Sequence, residues 1–293
     1  MKIATRFLCL GVFLAGMVLV SQAASVFTDN FDSYANQAAF EAAWTPIGTV
    51  APVSATLATD RASSGSQSIR VDGTLSNNQQ RNEESFTETG FLGINTNITF
   101  SFDFYDSNAA APPYRQFSVL QDGTGTATGQ LIGMGLNNNH INSDSGGNFY
   151  MARITGYTPT PLAIDPDGGP NEGGTLASGA FFKLNDFTAS PLRSTGWHNF
   201  GVVISTDDGA SADFAFFVDN ILAERVNNVG SAAQFRSYDV IRLGSGVSNA
   251  GNAAWYDNFS VQVTVVPEPS TFGLCLLGVA ALVCRRRQQR RRT

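Results

Sequence analysis

The feature that most constrains the fold is a strict alternation of apolar and polar side chains over residues 98–105. Ile98, Phe100, Phe102 and Phe104 occupy every second position, and more polar residues stand between them. Successive side chains of a β-strand point to opposite faces, so this pattern predicts a strand with one buried side. Burial of its phenylalanine rings stabilises such a strand by about 2 kcal/mol for each ring.

Residues 197–226 repeat the pattern and predict a three-strand antiparallel meander. The first strand covers residues 197–206, and a turn rich in Asp and Gly follows at 207–211. These residue types tolerate the positive φ angles that tight turns require. The chain returns through residues 214–218, reverses at Asp219-Asn220, and continues as a third strand.

Short strands predominate elsewhere in the sequence. Only residues 37–44 have a helical pattern, with Ser33 or Asn36 as the N-cap. Further strands are predicted at residues 66–72, 117–121, 130–136, 149–154, 180–184, 240–244 and 255–265. Many short strands separated by Gly, Asn, Ser and Pro turns predict an all-β fold, an antiparallel β-sandwich or jelly roll. Residues 24–265 are long enough for one such domain.

The N-terminus has the features of a cleaved Sec signal peptide, residues 1–23. Lys2 and Arg6 precede an apolar stretch over residues 7–20, and Ser21-Gln22-Ala23 places small residues where a signal peptidase reads them. Cys9 lies within the apolar stretch and fits no lipoprotein motif. We therefore expect the domain to be exported.

The C-terminal residues 266–293 form a second targeting segment with three parts. Val266-Pro267-Glu268-Pro269 resists helix formation because proline lacks a backbone donor, so it should be extended and accessible to a protease. The apolar residues 270–284 predict a short transmembrane helix, below the roughly 20 residues of an ordinary span. The basic tail 285–293 should stay in the cytoplasm. Its arginines are Arg285, Arg286, Arg287, Arg290, Arg291 and Arg292.

This tripartite segment resembles the PEP-CTERM sorting signal of Gram-negative bacteria. The resemblance implies recognition by an exosortase, a membrane-embedded processing enzyme. It also implies transient anchoring in the inner membrane and delivery to the cell surface or to an exopolysaccharide matrix. An ordinary C-terminal anchor preceded by a proline stop is the alternative interpretation.

The exported part of the chain is strongly acidic. The whole chain has a net charge of -6, but eight of its 18 basic residues and one of its 24 acidic residues lie in the targeting segments. Residues 24–265 therefore hold 10 basic and 23 acidic residues, a net charge of -13. This balance excludes nucleic acid as a partner. It suits divalent cations or neutral glycans, whereas anionic polymers would require bridging cations.

All three cysteines, Cys9, Cys275 and Cys284, lie in the targeting segments. The exported domain is therefore expected to contain no disulfide, no catalytic thiol and no cysteine metal site.

Four segments resemble the concanavalin A-like, laminin-G-like jelly rolls. Residues 196–202, Gly-Trp-His-Asn-Phe-Gly-Val, are similar to the Trp-His core strand of those domains. Residues 216–220, Phe-Phe-Val-Asp-Asn, are similar to their Val-Asp-Gly hairpin, with Asn220 in place of the usual glycine. Residues 64–71 and 256–261 are similar to the early strand and the last strand. The resemblance implies a concanavalin A-like jelly roll whose first and last strands lie side by side.

Two places in the sequence are candidate calcium sites, since calcium binds several hard oxygen ligands. Asp29 and Asp257 each begin an Asp-Asn-Phe tripeptide, at the two ends of the domain. The favoured alternative is that they cap turns and satisfy strand-end amides. Asp165 and Asp167 flank a glycine turn, but an EF-hand loop that starts at Asp165 would need an acid where Leu176 stands. A solvated loop without an ion is therefore favoured there.

Residues suited to catalysis are few. His140 and His198 are the only histidines, and His198 falls on the apolar face of its strand, where a hydrogen-bonded imidazole is expected rather than a general base. Glycosidases of this general fold use two carboxylates on one strand, a spacing that does not occur in the sequence. No Ser-His-Asp order and no Gly-x-Ser-x-Gly elbow occurs either. The protein is therefore predicted not to be an enzyme.

Glycan binding is the remaining hypothesis. Tyr114, Tyr150 and Tyr157 carry rings that could stack on sugars, and Asn138 could hydrogen-bond hydroxyl groups. Tyr114 follows two prolines and is predicted to lie at the surface. The sequence as a whole predicts an exported, non-enzymatic protein of the cell surface or the exopolysaccharide matrix, either glycan-binding or structural. A polysaccharide-active hydrolase or lyase is the alternative.

Overall fold

The computed structural model describes most of the exported domain. Described are residues 22–49, 51–73, 80–90, 92–112, 114–123, 131–138, 148–155, 162–164, 175–176, 181–207, 209, 211–229, 237–244 and 251–265. Residues 23–265 form one compact unit.

Within the described residues the chain is almost entirely β-structure, with one short helix. The helix α1 spans Gln37–Ala43. The strands are β1 Gln22–Asp29, β2 Thr45–Pro46, β3 Thr56–Ala58, β4 Ser68–Val71, β5 Asn82–Ser85, β6 Thr96–Asp106, β7 Gln116–Gln121, β8 Leu131–Leu136, β9 Met151–Thr155, β10 Leu162–Ile164, β11 Thr175–Leu176, β12 Phe181–Lys183, β13 Gly196–Ser205, β14 Ser211–Val218, β15 Ile221–Val229, β16 Val240–Leu243 and β17 Ala254–Val265.

The strands form two antiparallel sheets. The ten-stranded sheet has the order β11-β10-β15-β14-β13-β6-β17-β4-β3, with β1 also paired to β17. The seven-stranded sheet has the order β12-β9-β8-β7-β16-β5-β2. Rings from the two sheets meet between them: Phe182 of β12 lies 5.7 Å from Phe216 of β14, centroid to centroid. The predicted antiparallel β-sandwich is therefore confirmed.

The alternation in β6 places its phenylalanines in the core. Burial alternates along the whole strand, and Ile98, Phe100, Phe102 and Phe104 are all fully buried. Strand β6 lies between β13 and β17, so inward-facing side chains of both neighbours flank its own. Ring contacts continue across this face, with Phe102 stacked 5.5 Å from Phe200 of β13. The predicted meander is also present as β13, β14 and β15.

The helix α1 begins where the sequence predicts. The Asn36 side chain accepts a hydrogen bond from the backbone N–H of Ala39 at 3.0 Å, so Asn36 is the N-cap. Phe40 and Trp44, four residues apart, are both fully buried against the edge of the sandwich.

The two Asp-Asn-Phe tripeptides meet at one corner of the domain. Strand β1 pairs with β17, as the jelly-roll resemblance implies. Phe31 and Phe259 pack edge to face with ring centroids 5.8 Å apart. A β-bulge follows Asp257, and Asn258 adopts a φ of 50°, which turns the strand locally.

Candidate functional site

A single row of side chains crosses the outer face of the seven-stranded sheet. Their inward-pointing neighbours, such as Leu120 and Ile154, are core residues, so the row itself faces outward. Direct cross-strand partners define the row from β12 to β5: Phe181, Arg153, Gly133, Val119, Arg242 and Glu83. Three of these six side chains are charged.

The row passes through a cavity of about 220 Å³, which we call the arginine cavity. Its lining consists of four arginines (Arg81, Arg115, Arg153 and Arg242), two phenylalanines (Phe117 and Phe181), three aliphatic residues (Val119, Leu131 and Leu136), Asn137 and Gly244. The four arginines are a large share of the 10 basic residues in the sequence 24–265. Among the described residues that line this cavity, none is acidic.

Nearby groups hold the arginine side chains in place. Arg242 donates from Nε to Glu83 Oε2 at 2.8 Å, and both side chains remain about one-third exposed. The guanidinium carbon of Arg153 lies 5.0 Å from the centroid of the Phe181 ring, a cation–π contact. Arg115 donates from Nε to the Asn138 side-chain oxygen at 2.6 Å. The positive charges are therefore positioned before any ligand arrives.

The electrostatic setting of Arg81 and Arg153 is unfavourable for a positive charge. Burial lowers the pKa of Arg81, and the neighbouring charge of Arg242 lowers it further, while Glu83 acts in the opposite direction. Burial also lowers the pKa of Arg153. Arginine stays protonated in proteins, so the cavity keeps its charges at an energetic cost. An anion bound among them would offset that cost.

Gly133, which lies in the row, leaves room for the Phe117 ring in the cavity wall. A Cβ atom built on Gly133 would lie 2.2 Å from the Phe117 ring and 2.7 Å from a methyl group of Val119. Phe117 lies against Phe181, with ring centroids 5.2 Å apart in an edge-to-face arrangement. The glycine therefore lets an aromatic side chain lie down across β8 and form part of the cavity wall.

The structure gives both ends of the domain a turn-capping role. The Asp29 carboxylate accepts hydrogen bonds from the Phe31 N–H at 2.7 Å, the Trp44 indole at 2.8 Å and the Tyr34 hydroxyl at 2.5 Å. Asp257 accepts hydrogen bonds from the backbone N–H groups of Ser63, Ser64 and Asn258. Burial raises the pKa of Asp257 to about 6, against the opposing effect of these hydrogen bonds. The carboxylate oxygens of these two candidate calcium ligands already accept hydrogen bonds from protein donors, as the favoured turn-capping interpretation expects.

Asp29 and Asp257 do not converge on one cavity. Asp29 and Asn258 line an open depression of about 500 Å³, but Asp257 is absent from its lining. The described part of the chain contains no cluster of three or more His, Cys, Asp or Glu residues that could hold a metal ion. Calcium binding at this corner stays a prediction without a preformed acidic cluster. Asp165 and Asp167 lie outside the described residues.

Two of the three tyrosines that the sequence offers for stacking on sugars are core residues. Tyr114 is 4 % exposed and donates to Asp106 Oδ1 at 2.7 Å, so its prediction as a surface residue is wrong. Tyr150 is fully buried against His198 and Phe200. A buried ring cannot stack on a glycan, because both faces are covered by protein. Tyr157 lies outside the described residues.

Asn138 is exposed, and its side chain contacts Arg115. It therefore stands at the edge of the arginine cavity. The sequence indicated this residue because of its Asn-rich loop, and not because of the arginine beside it.

His198 occupies the structural role that was predicted for it. It is 7 % exposed, with Nδ1 2.8 Å from Asp219 Oδ2 and Nε2 2.8 Å from the Ser194 carbonyl oxygen. Both ring nitrogens are thus engaged within the fold. His140 lies outside the described residues.

The sorting segment lies beyond the described residues as well. This covers Val266, Pro267, Glu268 and Pro269, the apolar residues 270–284, and the six arginines of the tail. In the part of the chain that the structure does describe, no helix has the length and apolar character needed to cross a membrane.

The structure shows a site that the sequence did not reveal. The site contains Arg81, Arg115, Arg153 and Arg242, and 34 to 89 positions of the chain separate each of these arginines from the next. Only the strand order and the register bring them together. One signal in the sequence could have indicated the site. Residues 24–265 hold only 10 basic residues, so an arginine in or beside a predicted strand is a candidate binding residue.

Comparison with solved structures identifies similar β-sandwich proteins of several activities. An endo-β-1,4-glucuronan lyase from the fungus Trichoderma reesei is 12% identical, with 83% of this chain and 96% of that chain covered and a TM-score of 0.46. The alginate lyase Aly36B is 11% identical (81% and 96% covered, TM-score 0.45), and the lectin UEA-II, complexed with galactose, is 10% identical (83% and 100% covered, TM-score 0.41). At these values the similarities carry no argument about function. No curated protein matches the chain in sequence.

The C-terminal segment has a clear relative among protein families. Residues 265–291 match the family model described as the PEP-CTERM protein-sorting motif. The match covers the Pro-Glu-Pro element, the apolar segment and nearly all of the basic tail that the sequence analysis delimited as residues 266–293. The chain therefore ends in a PEP-CTERM protein-sorting motif, the signal of exosortase-sorted export.

Proposed function

We propose that this protein is a non-enzymatic polysaccharide-binding module of the cell surface or the extracellular matrix, and that it binds its ligand in the arginine cavity. The observation that carries the proposal is the convergence of four arginines and two phenylalanines in one open cavity on a sheet face. The sorting motif supports the location, since it directs the protein into exosortase-sorted export. In this proposal exosortase and an extracellular polysaccharide are the two partners.

The chemistry of the lining suits a sugar polymer. Guanidinium groups offer several N–H donors in a plane, which match hydroxyl and carboxylate oxygens. Phenylalanine rings offer apolar faces to the C–H surfaces of a sugar ring. The volume of about 220 Å³ is below the roughly 300 Å³ at which small-molecule pockets begin. An open cavity of this size fits one part of a long ligand that continues along the sheet.

The surroundings of the cavity support binding rather than hydrolysis. A glycosidase of the usual kind needs an acid and a second carboxylate on either side of the bond. Among the six residues of the row, one is a carboxylate, Glu83, and it is paired with Arg242 at 2.8 Å. The row holds no second carboxylate that could act with Glu83 across a glycosidic bond.

A retention assay with product analysis tests this proposal. The full-length chain in mild detergent is immobilised and exposed to polygalacturonic acid, dextran sulfate and dextran, and both bound polymer and shortened or unsaturated chains are measured. We expect retention of polysaccharide without chain cleavage, and loss of retention in Arg153→Gln and Arg242→Gln. Arg70→Gln is the matched control, because Arg70 is an exposed arginine of β4 in the other sheet. Cleavage of any polymer would overturn the non-enzymatic assignment, and retention of none would overturn the binding function.

A further inference from the structure

Resting on the proposed function, we infer that the ligand of the arginine cavity is an acidic polysaccharide, a polymer of uronic acid residues bound in extended form across the strands. The acidic composition of the domain had indicated neutral glycans. The arginine cavity favours an anionic ligand instead, because the local charge of a binding site depends on the positions of its charged residues and not on the net charge of the domain.

The distribution of charge is the first support. Residues 24–265 hold 23 acidic residues against 10 basic ones, yet four of the 10 line one cavity. Acidic side chains are absent from the described lining, and Glu83 lies at the end of the row. A cavity of one sign within a surface of the other sign focuses the electrostatic potential and favours ligands of opposite charge.

The geometry of the arginines specifies carboxylates. Arg242 already binds a carboxylate, that of Glu83, at 2.8 Å. At Arg153, the guanidinium carbon lies over the Phe181 ring, 5.0 Å from its centroid, and the N–H groups of any guanidinium lie in its plane. Carboxylates pair with arginine in that plane, through two parallel hydrogen bonds. The cavity therefore combines an in-plane donor edge with an adjacent aromatic ring, which matches the carboxylate and the ring of a uronic acid.

The strand order sets the length of the ligand. Arg153 on β9 and Arg242 on β16 are separated by three strand steps, through β8 and β7. At roughly 4.8 Å for each step, their backbones lie about 14 Å apart. One sugar ring cannot place carboxylates at both arginines at once. A ligand that pairs a carboxylate with each of the two arginines is therefore an oligomer, and its inferred path runs across the strands, along the row from Phe181 to Glu83.

Glu83 provides a variant with the opposite expected effect. Its carboxylate competes with the ligand for Arg242 and repels an anionic chain at the end of the row. Glu83→Gln removes the charge and keeps the shape. Tighter binding in this variant is a result that a misfolded protein cannot produce.

The test compares polymers that differ in charge and length. Binding of polygalacturonic acid, its monosaccharide galacturonic acid, dextran sulfate and neutral dextran to the full-length chain in mild detergent is measured by titration calorimetry at low ionic strength. We expect tightest binding of polygalacturonic acid and weakening by salt. Arg153→Gln and Arg242→Gln should each weaken binding about tenfold or more, the usual effect of losing a charged hydrogen bond. Arg70→Gln should leave it unchanged, and Glu83→Gln should tighten it.

The outcomes separate this inference from the proposed function. Equal or tighter binding of neutral dextran would overturn the acidic ligand and leave polysaccharide binding intact. Preference for dextran sulfate would overturn the carboxylate assignment, and equal affinity for galacturonic acid would overturn the extended binding mode. Binding of none of the polymers would overturn both the inference and the function on which it rests.

Discussion

At the residue scale, one buried ion pair organises an end of the sandwich. Arg193 Nε lies 2.9 Å from Asp106 Oδ2, and both side chains are fully buried. Arg193 also donates to the carbonyl oxygens of Ala111 and Asn108, and Asp106 accepts from the Tyr114 hydroxyl. The desolvation of the two charges is thus compensated by a complete set of hydrogen bonds. This network explains why Tyr114 lies in the interior.

Removal of one partner of this pair should destabilise the protein strongly. Arg193→Met leaves the Asp106 carboxylate buried without its cation, a change that costs about 3–5 kcal/mol. The free energy of unfolding is measured by urea titration, with Arg70→Met as a surface control expected to stay within about 0.5 kcal/mol. The combination of Arg193→Met with Asp106→Asn should recover part of the loss. A loss below about 1 kcal/mol in the single variant would contradict this account.

Glu84 should make stability depend on pH. Burial, together with the nearby Asp29 charge, raises the pKa of Glu84 from 4.5 to about 7. Its Oε2 atom is buried and has no hydrogen-bond partner among the described residues. The fold therefore favours the protonated acid, so its contribution to stability is complete below about pH 4.5 and is lost as the pH rises through about 7.

Thermal melts of the natural protein and of Glu84→Gln across this range check the prediction. The natural protein should lose melting temperature between about pH 4.5 and about pH 7, and the variant should lose less. Asp257, whose pKa is raised to about 6, contributes in the same direction in both proteins. The difference between the two proteins should thus grow with pH. A constant difference would show that Glu84 does not titrate in this window.

At the element scale, the sequence predicted the longest strands and missed most of the shortest ones, together with the eight-residue strand β1. Strands β6 and β13 have eleven and ten residues, enough alternation to indicate both structure and inward face. Strands β2 and β11 have two residues each, and β3 and β10 have three. No periodicity exists over such lengths. These strands form because a neighbouring strand offers hydrogen bonds, which is a tertiary cause.

The arginine cavity escaped prediction for the same physical reason. Alternation in β9 and β16 identifies Arg153 and Arg242 as outward-facing, but it does not say which strands are neighbours. Pairing of β16 with β7 joins segments more than 100 residues apart in the chain. Local patterns specify the face of a strand, whereas the composition of a site depends on the order of strands in the sheet.

Gly133 should be required both for packing in the seven-stranded sheet and for polysaccharide binding in the arginine cavity. In Gly133→Ala the added methyl group meets the Phe117 ring at 2.2 Å and Val119 at 2.7 Å. Displacement of the ring should cost about 1–3 kcal/mol in unfolding free energy and deform the cavity. Gly201→Ala on β13 is the matched control, because the nearest atom lies 3.9 Å from its new methyl group. That variant should be neutral or slightly stabilising, and equal losses in the two variants would contradict the steric argument.

At the scale of the whole molecule, location and binding are assigned to different parts of the chain. Strand β17 runs to Val265, where the sorting motif begins, and β17 pairs with β1 near the start of the exported domain. The arginine cavity lies on the other sheet. The motif and the cavity have no residue in common. Variants of one should therefore leave the other intact.

Replacement of the Pro-Glu-Pro element should abolish sorting and preserve binding. The combined changes Pro267→Ala, Glu268→Ala and Pro269→Ala remove the two prolines and the acid of the matched motif, and with them the backbone restriction that proline imposes. In the bacterium that produces the protein, immunoblots of cell fractions should show this variant retained uncut in the membrane, with unchanged affinity for polygalacturonic acid.

The variant Arg153→Gln should give the opposite result. We expect it to be processed normally and to be lost from the extracellular polysaccharide. If the alanine variant reached the surface like the natural chain, the motif would not act as the address. If both variants lost both properties, address and binding site would not be separable, and the polysaccharide itself would have to take part in sorting.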